Sequence, residues 1–125
     1  MIMKPLIFCI EDDLDIQFLL KLSLVNLGGF NVLFASDGNE ALKLLDHAKP
    51  DLLIIDWMLP EMNGVQLLKK IRKNNDCSRI KSILLTAKTD IKIIIGDDCL
   101  LFDEVIIKPF DPLKLAGRIA KYLHI

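Results

Sequence analysis

The chain has 125 residues, of which 52% are hydrophobic and 26% are charged, and its formal net charge is −1. This length and composition predict a single globular domain with a hydrophobic core and exclude an intrinsically disordered chain. The sequence has no basic stripe that would indicate nucleic-acid binding, and its longest apolar runs are too short to span a membrane.

The three cysteines, Cys9, Cys77 and Cys99, stand singly along the chain. A disulfide framework or a zinc site would need paired or clustered cysteines, so neither is indicated. The amino-terminal stretch has one lysine and then becomes acidic, which is unlike a secretory signal peptide. We therefore expect a protein of the reducing cytoplasm.

Short apolar runs alternate with segments of helical periodicity throughout the chain. In chain order we predict a strand at 6–10, a helix at 14–27, a strand at 31–35, a helix at 38–48, a strand at 52–56, a helix at 64–73, a strand at 82–86, a weak helix at 88–102, a strand at 104–108 and a helix at 111–123. The apolar runs are rich in Ile, Leu and Val, which is typical of parallel strands covered on both faces. The alternation predicts an α/β fold, a (βα)5 doubly wound parallel sheet.

Segment 88–102 has the least regular pattern of the predicted helices. Its apolar residues fit a helical face, but three consecutive isoleucines at 93–95 run directly into Gly96-Asp97-Asp98. Isoleucine, aspartate and above all glycine are weaker helix formers than alanine or leucine. We expect a weak or irregular helix here.

The apolar run at 52–56 ends in a carboxylate, Asp56. A charge in a buried strand costs free energy unless it is compensated, but in doubly wound sheets function gathers at the carboxyl ends of the strands. Polar residues also follow the other strands at this edge: Glu11, Asp12 and Asp13 after the first, Thr86 at the end of the fourth, and Lys108 at the end of the fifth. Clustered carboxylates favour a hard cation such as Mg²⁺, and a hydroxyl and an ammonium group suit an incoming phosphoryl group.

Two strings of residues carry a family resemblance, "DWMLPEMNG" at 56–64 and "KPF" at 108–110. Together with the intervals along the chain that separate Asp12, Asp56 and Thr86, they make the chain resemble the receiver domain of two-component response regulators over essentially its whole length. The resemblance implies a flavodoxin-like sheet of five strands in the order 2-1-3-4-5. It also implies one receiver domain over residues 1–125, a phosphorelay signalling protein rather than a metabolic enzyme.

The same resemblance assigns roles to the residues at the predicted site. Asp56 is implied as the phosphoryl acceptor, and Thr86 and Lys108 as the groups that contact the phosphoryl oxygens. The implied ligands of Mg²⁺ are Glu11, Asp12, Asp56 and the backbone carbonyl of Met58. Asp13 stands beside the acidic pair, but the spacing to Asp56 favours Glu11 and Asp12.

The resemblance also implies the partners and one backbone feature. The phosphoryl donor would be a sensor histidine kinase or a histidine phosphotransfer protein, and the output target would be a protein that the sequence does not identify. We expect no direct contact with nucleic acid or membrane, and we expect that any homodimer forms through the fourth helix, the fifth strand and the fifth helix. The chain would be a free-standing receiver or a portion of a longer protein. The Lys108-Pro109 peptide bond would be cis, an isomer that is inexpensive only before proline.

The chain departs from the family at the surface that transmits the signal. Val105 stands where the fifth strand of most members carries an aromatic residue, and Leu101-Phe102 replaces a small Gly-Ala turn. Valine has few rotamers to exchange, so we expect 88–104 to carry the switch by ordering and disordering and to be the most mobile region. Leu100, Leu101 and Phe102 would form a partner-binding patch when exposed.

Three other functions compete with this interpretation. A phosphatase of the haloacid dehalogenase type would have an acid two residues after its nucleophile, where this chain has Met58. A pseudo-receiver would lack part of the set of polar residues that is complete here. A flavin-binding protein would need a phosphate-binding loop after the first strand, where the acidic Glu11, Asp12 and Asp13 would repel a phosphate.

Overall fold

The computed structural model describes residues 4–92 and 96–123. Five parallel strands form one sheet in the order β2-β1-β3-β4-β5. The strands are β1 Leu6–Ile10, β2 Asn31–Ala35, β3 Leu52–Asp56, β4 Lys81–Ala87 and β5 Glu104–Lys108. The predicted strands and the strand order are therefore confirmed, and β4 is longer than predicted by one residue at each end.

Four α-helices connect or follow the strands: α1 Leu14–Lys21, α2 Gly38–Leu45, α3 Gly64–Arg72 and α4 Pro112–Ala120. The predicted helix 14–27 is continuous, but its second half, Leu22–Leu27, is a π-helix. Each α-helix begins with a side chain that accepts a hydrogen bond from a backbone N–H of the first turn: Asp13, Asp37, Asn63 and Asp111. These caps satisfy otherwise unpaired donors and fix where each helix starts. Within the described residues, no helix is both long and apolar enough to cross a bilayer.

The region between β4 and β5 contains 3₁₀-helix in place of an α-helix, over Lys88–Lys92 and Gly96–Leu101. The expectation of a weak or irregular helix is confirmed for these residues, while 93–95 lie outside the described part of the chain. Leu100 and Leu101 are exposed, but Phe102 is buried in the core. In the conformation described, the expected surface patch therefore lacks Phe102.

Two hydrophobic cores lie on opposite faces of the sheet. One packs beneath α2 and α3 and includes Ala41, Leu68, Trp57 and Phe102. The other packs beneath α1 and α4 and includes residues such as Leu20. All residues of β3 are buried, because both faces of this central strand are covered. This arrangement leaves the two ends of the sheet as the places where polar groups can reach solvent.

Ser23 provides a test of the packing at the π-helix. Its side chain is wholly buried, and its Oγ has no hydrogen-bond partner within the described structure. A buried hydroxyl without a partner retains its desolvation penalty, so Ser23→Ala should raise the free energy of unfolding by about 1 kcal/mol in urea denaturation. Ser82 is the matched control: it is equally buried, but its Oγ accepts a hydrogen bond of 3.2 Å from Arg72, so Ser82→Ala should destabilise the fold. A loss of stability in Ser23→Ala would contradict the prediction.

Candidate functional site

The carboxyl ends of four adjacent strands lie at one edge of the sheet. β3 stands between β1 and β4, and β5 follows β4. Asp56 at the end of β3 is in register with Leu85, and Lys108 at the end of β5 is in register with Ala87, the residue after Thr86. Glu11 follows β1 directly and extends its pairing, since its N–H donates to the carbonyl of Ala35. The parallel topology therefore brings the polar residues predicted from the sequence to one place.

Three carboxylates meet at this edge. Glu11, Asp12 and Asp56 each offer one oxygen atom, and these atoms lie within 4.8 Å of one another. Asp12 is exposed, whereas Asp56 is 5% exposed and Glu11 is wholly buried. The Oε2 atom of Glu11 has no hydrogen-bond partner among the described residues. A buried carboxyl oxygen without a partner costs free energy unless a ligand, a water or a proton satisfies it.

Lys108 bridges two of these carboxylates. Its Nζ lies 2.7 Å from Oε1 of Glu11 and 3.1 Å from Oδ1 of Asp56. Burial alone would lower the pKa of Lys108, but the hydrogen bond to Glu11 and the charge of Asp56 outweigh burial and raise it. Burial raises the pKa of Glu11 to about 9; the neighbouring Asp56 adds to this shift, and Lys108 opposes it. Three carboxyl groups thus face one ammonium group in a poorly solvated place, and the raised pKa of Glu11 reflects the cost of a further negative charge there.

Thr86 is wholly buried at the end of β4, and its hydroxyl donates to the carbonyl of Ala87 over 3.3 Å. The hydroxyl is therefore engaged by its own strand in this conformation. Met58 lies in the loop after β3, and its side chain is 58% exposed. The role given to its backbone carbonyl remains a prediction from the sequence.

Asp13 is set apart from the carboxylate cluster by its function as a helix cap. One of its oxygen atoms accepts from the N–H of Asp15 at 2.8 Å and from that of Ile16 at 3.3 Å. These bonds orient its carboxylate toward the first turn of α1. The carboxylate that lies with those of Glu11 and Asp56 is that of Asp12.

The loop after β3 is held against the sheet by backbone contacts. The N–H of Trp57 donates to the carbonyl of Leu85, and the N–H of Gly64 donates to the carbonyl of Trp57, both over 2.8 Å. Glu61 adopts a left-handed backbone conformation with a φ angle of 68°, and its side chain accepts a hydrogen bond from Asn39 of α2. Trp57 packs in the core beside this loop. The loop is thus fixed at both of its ends.

Two further features complete the local geometry. The Lys108-Pro109 peptide bond is cis, as the resemblance implied. The side-chain amide of Gln17 on α1 donates to the backbone carbonyl of Glu11. From the sequence, position 17 is predicted only to lie in the helix at 14–27, because helical periodicity identifies a polar face but not the loop atom that a side chain on it will meet.

A family model for the response regulator receiver domain matches residues 7–120. The chain belongs to this family. The receiver is thus of the kind used in phosphorylation-based two-component signalling, and its relatives are regulatory proteins rather than metabolic enzymes.

Individual relatives support the family assignment. The transcriptional regulatory protein CpxR of Klebsiella pneumoniae is 38% identical over 119 residues, which cover 94% of this chain and 49% of CpxR. The Francisella response regulator 1452 receiver domain is 31% identical with a TM-score of 0.79, covering 96% of this chain and 97% of that one. The receiver therefore spans about half the length of the curated relatives that it matches, and nearly all of a solved receiver domain.

A more distant structure shares the fold. The receiver domain of sensor histidine kinase PA1611 from Pseudomonas aeruginosa PAO1 is 24% identical with a TM-score of 0.83, covering 98% of this chain and all of that one. That protein has a magnesium ion coordinated in its active site cleft.

Gly64 tests how closely the loop after β3 must approach the end of that strand. A Cβ atom at this position would clash with the backbone carbonyl oxygen of Asp56, and backbone cannot move aside as a flexible side chain can. Gly64→Ala should therefore lower the free energy of unfolding by about 1–3 kcal/mol. Gly117→Ala in α4 is the control: a Cβ there meets nothing within 4 Å, and alanine is the better helix former, so stability should rise slightly. Equal stability of the two variants in urea denaturation would refute the proposed close approach.

Proposed function

We propose that this receiver accepts a phosphoryl group on Asp56 from a phosphohistidine of a sensor histidine kinase or a histidine phosphotransfer protein, in a reaction that depends on Mg²⁺. The observation that carries the proposal is the nearly buried carboxylate of Asp56, whose Oδ1 lies 3.1 Å from the ammonium group of Lys108 and whose neighbours are two further carboxylates. Two like charges beside a nearly buried carboxylate are unfavourable in a purely structural role, so they support a chemical role for Asp56.

The carboxylate cluster fits a divalent cation. Mg²⁺ prefers oxygen ligands and is usually held by one or two carboxylates, waters and phosphate oxygens. Glu11 contributes a buried Oε2 with no hydrogen-bond partner among the described residues, and Asp12 contributes an exposed carboxylate from which waters need not be fully removed. We assign Glu11, Asp12, Asp56 and the backbone carbonyl of Met58 as the ligands. When bound, Mg²⁺ would neutralise part of the charge on the phosphoryl group and on the acceptor.

The chemical step that we propose is an in-line displacement at phosphorus. A lone pair of an Asp56 carboxylate oxygen forms the new O–P bond, while the P–N bond of the donor breaks and its electron pair returns to the imidazole nitrogen of the donor histidine. No oxidant or reductant is needed. Phosphoryl transfer depends chiefly on positioning and on charge neutralisation, so a small set of residues is sufficient.

Lys108 and Thr86 would receive the transferred group. Lys108 already contacts Oδ1 of Asp56, so its ammonium group would also lie beside a phosphoryl oxygen joined to Asp56. Thr86 now donates to the carbonyl of Ala87, and rotation about its Cα–Cβ bond would release the hydroxyl to donate to another phosphoryl oxygen. The transfer would thus change the partners of Thr86 more than those of Lys108.

The phosphoryl donor would dock around the carboxyl end of the sheet. Leu14 and Phe18 lie one turn apart on α1 and are 75% and 66% exposed, and Leu113 in the first turn of α4 is 78% exposed. Both helices begin at the edge where Asp56 lies, because they follow β1 and β5. Large exposed apolar side chains near one another often mark an interaction surface. A helical donor domain could cover them while it presents its phosphohistidine to Asp56.

Signal output would involve the segment before β5. Val105 is half-buried and packs against the core that contains Phe102. The buried ring of Phe102 holds the segment before β5 against the interior in the conformation described. We propose that phosphorylation changes the order of 88–104 and thereby the surface of β5 and α4, for a downstream protein or a second copy of the chain. A cytoplasmic location would suit the proposed donors and the free thiols of Cys9 and Cys77.

Acceptor identity is tested by incubation with Mg²⁺ and acetyl phosphate, followed by intact mass. The receiver should gain the mass of one phosphoryl group, and Asp56→Asn should gain none because an amide cannot act as the nucleophile. Asp46→Asn, at an exposed position beyond the end of α2, should be phosphorylated like the unsubstituted protein. Undiminished phosphate uptake by Asp56→Asn would exclude Asp56 as the acceptor.

Metal binding is tested by thermal unfolding with and without MgCl₂. A ligand that binds only the folded state stabilises it, by about 1.4 kcal/mol when its concentration is ten times Kd. Mg²⁺ should therefore raise the Tm of the unsubstituted receiver, and Asp12→Asn should lose most of this increase. Asp13→Asn should keep it, since asparagine is also a good helix cap and Asp13 lies outside the proposed ligand set. A Tm that does not move with millimolar Mg²⁺ would count against the acidic pair as ligands.

A further inference from the structure

A side chain of α1 forms a hydrogen bond to the backbone of the acidic loop after β1. Gln17 is half-buried on α1, and its Nε2 donates to the backbone carbonyl oxygen of Glu11 over 2.5 Å. The same Nε2 lies 3.4 Å from Oγ of Ser36, in the loop after β2. One amide group thus joins two loops at the carboxyl edge of the sheet.

The carbonyl that Gln17 contacts belongs to the peptide unit between Glu11 and Asp12. A peptide unit is planar, so fixing the direction of its carbonyl also fixes the plane from which the backbone of Asp12 departs. The other side of Glu11 is already fixed, because its N–H donates to Ala35 across the sheet. Gln17 therefore restrains the one peptide plane that sets the two carboxylates of the acidic pair relative to each other.

The second contact of Gln17 is itself supported. The N–H of Ser36 donates to Oε1 of Glu40, and the N–H of Glu40 donates to Oδ1 of Asp37, the cap of α2. The loop after β2 is therefore held to α2 by its own hydrogen bonds. Gln17 thus contacts a loop that is itself held in place by hydrogen bonds.

We propose that Gln17 is a positioning residue for the divalent cation site: it acts through the Glu11–Asp12 peptide unit and does not itself contact the metal. The inference rests on the proposed function, since it assumes that Glu11 and Asp12 hold Mg²⁺. Groups that orient metal ligands without touching the metal commonly change affinity by about 10- to 100-fold when they are removed. Asp12 is exposed and has a flexible side chain, so its placement depends on the backbone that carries it.

The test is titration with MgCl₂ alone, without any phosphoryl donor. Trp57 is the single tryptophan of the chain, follows Asp56 directly and is buried, so its fluorescence is expected to report Mg²⁺ binding, with calorimetry as the independent measurement. Gln17→Met keeps the length and the helix propensity of the side chain but removes the donor. Its Kd for Mg²⁺ should rise about tenfold or more.

A matched control separates positioning from general stability. Gln66→Met makes the same change on α3, where the Gln66 side chain accepts a hydrogen bond of 2.9 Å from the N–H of Asn63 in a capping box. It should lower the Tm of the metal-free protein at least as much as Gln17→Met does, while its Kd for Mg²⁺ should change less than threefold. Gln17→Asn is the second variant at the site, since it retains the amide but is too short to reach the Glu11 carbonyl, and it should also weaken Mg²⁺ binding.

The outcomes distinguish the inference from the function on which it rests. If the unsubstituted receiver binds Mg²⁺ and both Gln17 variants bind it with the same Kd, the inference is wrong and the magnesium site stands. If all Gln17 and Gln66 variants lose affinity in proportion to their loss of Tm, Gln17 has only a structural role and the inference is again wrong. If the unsubstituted receiver does not bind Mg²⁺ at all, the proposed magnesium site fails and the inference fails with it.

Discussion

One ammonium group shared by two buried carboxylates is the interaction on which the rest of this structure depends. Lys108 at the end of β5 contacts Glu11, which follows β1, and Asp56 at the end of β3. β1 and β5 are not neighbours in the sheet, since β3 and β4 stand between them. The long lysine side chain therefore ties together strands that no backbone hydrogen bond joins. If Lys108 were lost, Glu11 and Asp56 would be left beside each other in a poorly solvated place without a counter-charge, which is costly.

The same site contains more carboxyl groups than ammonium groups. Glu11, Asp12 and Asp56 are three carboxylates against one lysine, and burial together with Asp56 raises the pKa of Glu11 to about 9. A site that held only its own ion pairs would be more stable with fewer carboxylates. This crowding of carboxyl groups fits the proposed divalent cation, which would neutralise part of their charge when bound.

Much of this arrangement can be predicted from the sequence, because strand ends are easy to locate. The run "LLIID" has to be a buried strand, and parallel topology then carries Asp56, Thr86 and Lys108 to one edge. The family resemblance supplied the strand order and the pairing of Glu11 with Asp12. The type of helix within a helical segment and the contacts between residues far apart in the chain are harder to predict from the sequence. The π-helix at Leu22–Leu27 keeps a pattern of apolar residues that an α-helix would also show, and nothing in the local sequence of Phe102 distinguishes a buried ring from an exposed one.

The backbone hydrogen bond from Trp57 to Leu85 has a consequence for how a signal can leave the site. The ladder between β3 and β4 continues one residue past Asp56, so the main chain on both sides of Asp56 is anchored to the neighbouring strand. If Asp56 is the phosphoryl acceptor, as proposed, sliding of its strand would break this ladder. A change begun at Asp56 would then pass outward through side chains and through the loops beyond the ladder, with the sheet as a fixed frame.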